Sequence, residues 1–161
     1  RKLARAMEPR ASTPAKRLEA ISRLAEAGCP VGVGFAPVIP GLNDHEMESV
    51  LEAAAKAGAT TAMYVTLRLP LEIKDLFREW LAENRPDRAA RVMSLIRQTR
   101  GGKDYDADWS QRMKGTGPIA ELLSVRFKAA IKRYGLDGPR HQLDESRFRV
   151  PADARPQLEL F

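Results

Sequence analysis

Lys103, Tyr105, Trp109, Arg112 and Lys114 share one segment, residues 101–117, reading GGKDYDADWSQRMKGTG. Cationic groups can meet phosphates, and aromatic faces can stack on bases. Their interleaving points to a nucleic-acid contact, with glycines at both ends that let the segment move. The competing reading is an ordered cover loop with Trp109 packed inward. Asp104, Asp106 and Asp108 alternate like calcium ligands, but no glutamate follows at EF-hand spacing, so calcium chemistry is not expected there.

Other reactive side chains are sparse. The chain of 161 residues has one cysteine and two histidines. Cys29 alone excludes an internal disulfide and cannot by itself hold a metal cluster. Between Gly28 and Pro30 it reads as a small buried apolar residue. His45 falls in the first turn of a helix, where the macrodipole disfavours its protonated form. It can act as acid or base there, or simply lie at the surface. His141 lies in a polar tail and reads as solvated. No Ser-His-Asp or Cys-His arrangement can be built with any specificity. Glu8 and Arg10 precede the first helix; an arginine there can grip a carboxylate bidentately, or pair with its neighbour at the helix entry. At the other end stand Gln157, Leu158, Glu159, Leu160 and Phe161. Burying each of the large apolar side chains contributes roughly 1.5–3 kcal/mol. Such anchors either fold back or enter a partner's pocket.

The elements that would position these residues follow from periodicity. Ser12 or Thr13 can cap a helix with Pro14 in its first turn. Leu18, Ile21, Leu24 and Ala25 then recur at helical spacing, and Gly28 supplies a stop. The stretch VGVGFAPVIPGLND, residues 31–44, is the most informative in the chain. It reads as a buried strand at 31–38 opening into a turn and a helix. Val31, Val33 and Phe35 would share one face; Gly32, Gly34 and Ala36 would leave the other bare, so that a ligand or backbone can approach. Ligands gather at the C-terminal strand ends of α/β folds, which places any chemistry near residues 37–44. Asn43 or Asp44 can cap the next helix, with Met47, Val50, Leu51 and Ala54 as its stripe. A second strand is expected at 61–67, with Met63, Val65 and Leu67 toward the helices and Tyr64, Thr66 and Arg68 opposite.

This order implies parallel strands with crossover helices, an α/β fold. After Pro70 the pattern is helical, with Ile73, Leu76, Phe77, Trp80 and Leu81 on one stripe and Val92, Met93, Leu95 and Ile96 on another. A last helix spans 118–134, using Ile119, Leu122, Leu123, Val125, Phe127, Ala130 and Ile131. Three regions result: a β/α portion at 1–70, a helical extension at 71–135, and a polar tail at 136–161. Two strands are too few for a good sheet and leave both edges open, so a further part of the molecule is expected to complete it. The first residue, Arg1, fits a chain that is a piece of a longer one.

Bulk properties narrow the partners. The formal net charge is +6, with a pI of about 9.8. That balance is compatible with nucleic acid without requiring it. No apolar run approaches the roughly 20 residues that span a bilayer, and no membrane partner is expected. One thiol and no disulfide framework suit a reducing cytoplasm.

A family resemblance gathers these residues. The run EPRASTPAKRLEAISRLAEAGCPVGVGFAPVIPGLNDHE resembles the middle of radical S-adenosylmethionine proteins. The runs YVTLRLPLEIKDLF and RGGKDYDADWSQRMKGTGPIAELLSVRF resemble a bacterial branch of that superfamily, similar to spore photoproduct lyase-type proteins. The resemblance implies the C-terminal part of a partial (β/α)6 barrel followed by a helical extension. It also implies a [4Fe-4S] cluster that cleaves S-adenosylmethionine to a 5′-deoxyadenosyl radical; joined with the basic balance, the aromatic loop and the QLELF tail, it leads to the expectation of an enzyme that acts on nucleic acid in DNA repair or modification. The cluster motif C-x-x-x-C-x-x-C is absent from this sequence. The cluster ligands are therefore expected in an N-terminal half that would be this chain's first partner, and the chain alone would be inactive. The resemblance makes Val38, Ile39 and Pro40 candidates for the adenosine contact. Gly32 and Gly34 would give clearance, Arg10 the methionine carboxylate contact, and Tyr64 or Arg68 further polar contacts. QLELF resembles the clamp-binding pentapeptide of bacterial polymerases and repair proteins, which implies Gln157, Leu158, Leu160 and Phe161 on a sliding clamp. Two alternatives stay open: a non-catalytic module that binds DNA or the clamp, and a tRNA-modifying relative within the same superfamily.

Overall fold

A computed structural model describes residues 2–139 and 144–149 of the chain. It is a mixed α/β structure with a two-stranded parallel sheet. Helix α1 (Lys2–Met7) leads into α2 (Pro14–Glu26), where Thr13 caps the Lys16 amide and Pro14 takes a position with no helical N–H to lose. Gly28, at φ +75°, turns the chain toward β1 (Gly32–Val38). A 3₁₀ turn (Asp44–Glu46) precedes α3 (Met47–Lys56), which crosses back to β2 (Thr61–Thr66). Helices α4 (Ile73–Asn84), α5 (Ala89–Gln98) and α6 (Gly117–Tyr134) follow.

The parallel register sets Gly32 opposite Thr61, Val33 opposite Ala62, Gly34 opposite Met63 and Phe35 opposite Tyr64; an irregularity follows, and Val38 pairs with Thr66. Paired residues share a face. Phe35 and Tyr64 therefore point together into the helical layer, where Met47, Leu51 and Ala54 of α3 and Leu123, Phe127 and Ala130 of α6 complete a core. The Tyr64 and Phe127 rings meet at 4.7 Å between centroids. This reverses the facing expected for β2. Met63 is exposed on the glycine side, and Tyr64 and Thr66 are buried on the helical side. Alternation alone fits either facing. The area of a tyrosine ring and a partner for the Thr66 hydroxyl decide it.

A second core joins Ile39 and Leu42 after β1 to Leu69, to Phe77 and Leu81 of α4, and to Val92, Met93 and Ile96 of α5. With α6 packed on α3 and β2, the helices after Pro70 share both cores with the segment before it. Leu122 and Val125, expected in the α6 stripe, are exposed. The edges of the sheet also differ from expectation. The Thr66 amide donates to the Met113 carbonyl, the Gly138 amide donates to the Thr60 carbonyl, and Asp137 bridges Thr61, so β2's outer edge is covered at both ends. Beside β1's outer edge runs a mostly apolar groove of about 270 Å³ between α1, α2 and α3.

Candidate functional site

Three features meet at the C-terminal end of the sheet. The first is the bare face of β1. Gly32, Gly34 and Ala36 are exposed there. A Cβ on Gly34 would meet only the Met63 side chain, at 3.8 Å, whereas one on Gly32 would strike the Thr61 hydroxyl at 2.6 Å. Gly32 thus serves strand packing, and Gly34 leaves open space.

The second is the turn after β1. Asn43 and Asp44 do not cap α3; they hold the turn itself. The Ile39 amide donates to Asn43 Oδ1 at 2.7 Å, Asn43 Nδ2 donates to the Pro37 carbonyl at 2.9 Å, and the Gly41 amide donates to Asp44 Oδ1 at 2.7 Å. Short Asx side chains reach the backbone of so tight a turn, which is why they serve it rather than the helix. Arg126 of α6 clamps the turn from outside. It forks onto Glu48 with two hydrogen bonds of 2.8 Å and donates to the Asp44 carbonyl at 2.8 Å. The guanidinium holds the Glu48 carboxyl below the usual carboxylate range. His45 projects from this turn and is exposed.

The third feature is a concentration of guanidinium groups where β2 ends. Arg100, directly after α5, is 2% exposed. Its Nη1 donates to the Gln111 carbonyl at 3.2 Å, and its Nη2 to Thr66 Oγ1 and the Leu67 carbonyl, both at 2.8 Å. Burial pushes its pKa down; Asp106 and Tyr105 oppose that, and neighbouring Arg68 adds to it. Arg68 Nη2 donates to the Tyr105 hydroxyl at 3.4 Å. Arg112 stacks over the Trp109 ring at 3.3 Å, and Lys114 Nζ lies 5.8 Å from the Tyr64 ring.

The expected contacts sort themselves accordingly. Of the nucleic-acid candidates, Arg112, Lys114 and Tyr105 lie against or beside the end of β2, and Lys103 is exposed. Trp109 is 79% exposed, so it is not packed inward. Asp104 is taken by ion pairs with Arg78 and Arg97. Among the cofactor candidates, Gly34 lies on the open face. The side chains of Val38 and Ile39 are buried in the two cores and Pro40 is buried, so this segment offers a ligand little beyond backbone. Tyr64 is in the helical core, away from the glycine face. Arg10 is exposed in the turn before α2 and does not line the groove; Arg17, paired with Glu8 at 3.5 Å, does. Gln157, Leu158, Leu160, Phe161 and His141 lie outside the described residues.

Arg100 and Arg126 escaped the sequence reading. An arginine at a helix C-terminus or on a charged helix face reads as solvated, and only the fold brings carbonyls and carboxylates to them. The Arg-Gly-Gly run at 100–102 was the one visible signal, because glycines there let the chain turn tightly around a buried side chain.

No protein-family model matches the chain, and no solved structure matches it. It is similar to uncharacterised proteins of Mycobacterium bovis and Mycobacterium tuberculosis, with 34% identity over 98 residues. That stretch covers 60% of this chain and 29% of each relative, so the chain spans well under half the length of the relatives it matches. Among the described residues no helix is long and apolar enough to cross a membrane.

Proposed function

We propose that this chain forms part of the cofactor- and substrate-facing wall of a radical S-adenosylmethionine enzyme that acts on nucleic acid in the cytoplasm. The observation that carries the reading is the open glycine face of β1, with Gly34 giving clearance at mid-strand on the face that runs on toward the turn after Val38. An adenosine-sized ligand needs such clearance at a C-terminal strand end. The outer β1 edge, which among the described residues pairs with no strand, and its groove suit a preceding strand and helix of a partial (β/α)6 barrel, supplied by a further part of the same protein.

The iron–sulfur cluster does not fit this chain by itself. Cys29 is the sole cysteine and, against the expected burial, is exposed before β1, and among the described residues no group of potential ligands could hold a metal ion. The cluster's ligands would come from another part of the protein. The chain's own contribution would be to shape the wall and approach the nucleic acid. The QLELF tail would tether the enzyme to a sliding clamp.

The test is anaerobic reconstitution of the intact protein, reduction, and assay for 5′-deoxyadenosine. Release of that product supports the enzymatic reading, and its absence ends it. The exposed Trp109 with its neighbouring cations favours a second reading, a DNA- or clamp-binding module without catalysis. Removing residues 157–161 separates the tail from the rest. Loss of clamp binding with cofactor cleavage kept supports a tethered enzyme; unchanged clamp affinity rejects the tail's role.

A further inference from the structure

The four buried side-chain polar atoms that lack a hydrogen-bond partner among the described residues are Tyr64 Oη, Arg68 Nε, Arg100 Nε and Arg112 Nε. All four belong to β2, its immediate continuation, or the loop that packs on it. The two segments are held side by side: the Thr66 amide and hydroxyl both donate to the Met113 carbonyl, and Arg100 links Thr66 and Leu67 to Gln111. Among the described residues, no carboxylate lies within 4.0 Å of Arg68, Arg100 or Arg112, although other arginines of the fold do find one. Buried polar groups are partnered and buried charges are paired as a rule. Several guanidinium groups in one place with no carboxylate in contact, and only Asp106 acting on Arg100 at longer range, leave room for a further anion.

We propose that this end of β2 is a binding site for the phosphate of a nucleotide unit, with Arg68 and Arg112 as its ligand-facing cations, Arg100 as the buried charge beneath, and Trp109 as the platform for the base. The inference rests on the nucleic-acid part of the proposed function and deepens it. Arg68 and Arg112 are half-buried, so they are reachable yet partly shielded from water. Planar guanidinium forks match phosphate oxygens. Arg100, tied to two backbone carbonyls and a hydroxyl, holds its charge in place whether or not ligand is bound. Arg112 covers one face of Trp109, and at 79% exposure the indole leaves its other face to solvent. A base stacked there would lie across the indole from Arg112, with the phosphate of its unit on the guanidinium side.

The test is fluorescence anisotropy of a labelled single-stranded DNA oligonucleotide titrated with the protein, competed with thymidine monophosphate, thymidine and inorganic phosphate. Arg68→Gln and Arg112→Gln are each expected to weaken binding roughly tenfold, and Trp109→Ala by about five- to hundredfold. Each arginine variant should lower the salt slope by about one. Competition by the monophosphate but not by thymidine confirms that phosphate is read. Competition by the monophosphate as strong as by unlabelled oligonucleotide makes the occupant a free nucleotide, much weaker competition makes it a strand, and thymidine competing as well as the monophosphate overturns the proposal. Arg112→Lys, which keeps charge and loses the fork, should recover only part of the affinity. Binding that survives both glutamine variants overturns the proposal, and so does an equal loss in the distant control Arg23→Gln. Cofactor cleavage without oligonucleotide binding rejects this inference alone, whereas binding without cleavage rejects the enzymatic reading alone.

Discussion

Replacing Arg126 by methionine tests how the turn after β1 is held. The methionine keeps most of the apolar stem and removes the fork. Lost are two 2.8 Å bonds to Glu48, one of 2.8 Å to the Asp44 carbonyl, and a weaker 3.4 Å contact with the Asp44 carboxylate. Exposed pairs contribute about 0–1 kcal/mol, and breaking a buried one costs about 3–5. The Arg126 side chain is 26% exposed and that of Glu48 34%, which sets this pair between those limits. Solvent can rehydrate the Glu48 carboxylate once its partner leaves, so the expected loss is about 2 kcal/mol at neutral pH. Urea unfolding followed by circular dichroism measures it. Glu48's folded pKa is depressed by Arg126. Its contribution is therefore complete above the unfolded value of about 4.3 and fades as pH falls through the lower folded value. The gap between wild type and Arg126→Met should be widest near neutrality and narrow in acid. A double-mutant cycle with Glu48→Gln should return a coupling of about 1–2 kcal/mol. A coupling under about 0.3 kcal/mol, or a gap that does not change with pH, would refute the clamp.

Gly34→Leu should leave the urea midpoint within the shift of about 1 kcal/mol, because only Met63 lies near the new Cβ. It should nonetheless suppress 5′-deoxyadenosine formation by the intact protein, and full activity with a leucine there would remove the ligand wall. Gly41 has φ +77°, and its Cβ would meet Leu95 Cδ1 at 2.8 Å; Gly101 has φ +60° with nothing within 4 Å. Gly41→Ala should therefore cost more than Gly101→Ala, about 2–4 against about 1 kcal/mol, as read from paired melts. Arg100→Met should destabilise by about 1–3 kcal/mol, since it takes its donor from the Leu67 carbonyl, while the Thr66 hydroxyl keeps the Met113 carbonyl and the Gln111 carbonyl keeps the Lys114 and Gly115 amides. Arg100→Lys should recover less than half of that loss, because one ammonium cannot span the three acceptors; full recovery would reject the fork.

Local signals were reliable where the physics is local. Thr13-Pro14 and Gly28 bounded α2, and the Gly-x-Gly alternation marked β1 and its bare face. Gly135, at φ +66°, ends α6 where the apolar pattern stops. The short helix α1 carried no comparable signal; its Leu3 and Met7 find apolar neighbours only through the fold. Stripe membership on α6 failed at Leu122 and Val125, because α6, packed on α3, α5 and β2, buries a narrower face than its apolar residues would allow.

Composition and spacing alone established a basic α/β chain, its order of helices and strands from α2 onward, the glycine face, and a loop rich in cations and aromatics. Tertiary structure alone decided which way β2 faces, which sheet edge is covered, and that Arg100 is buried without a carboxylate. The division has a physical cause. Periodicity and capping act between residues a few positions apart, whereas facing, edge protection and charge pairing depend on what distant segments bring to the same place.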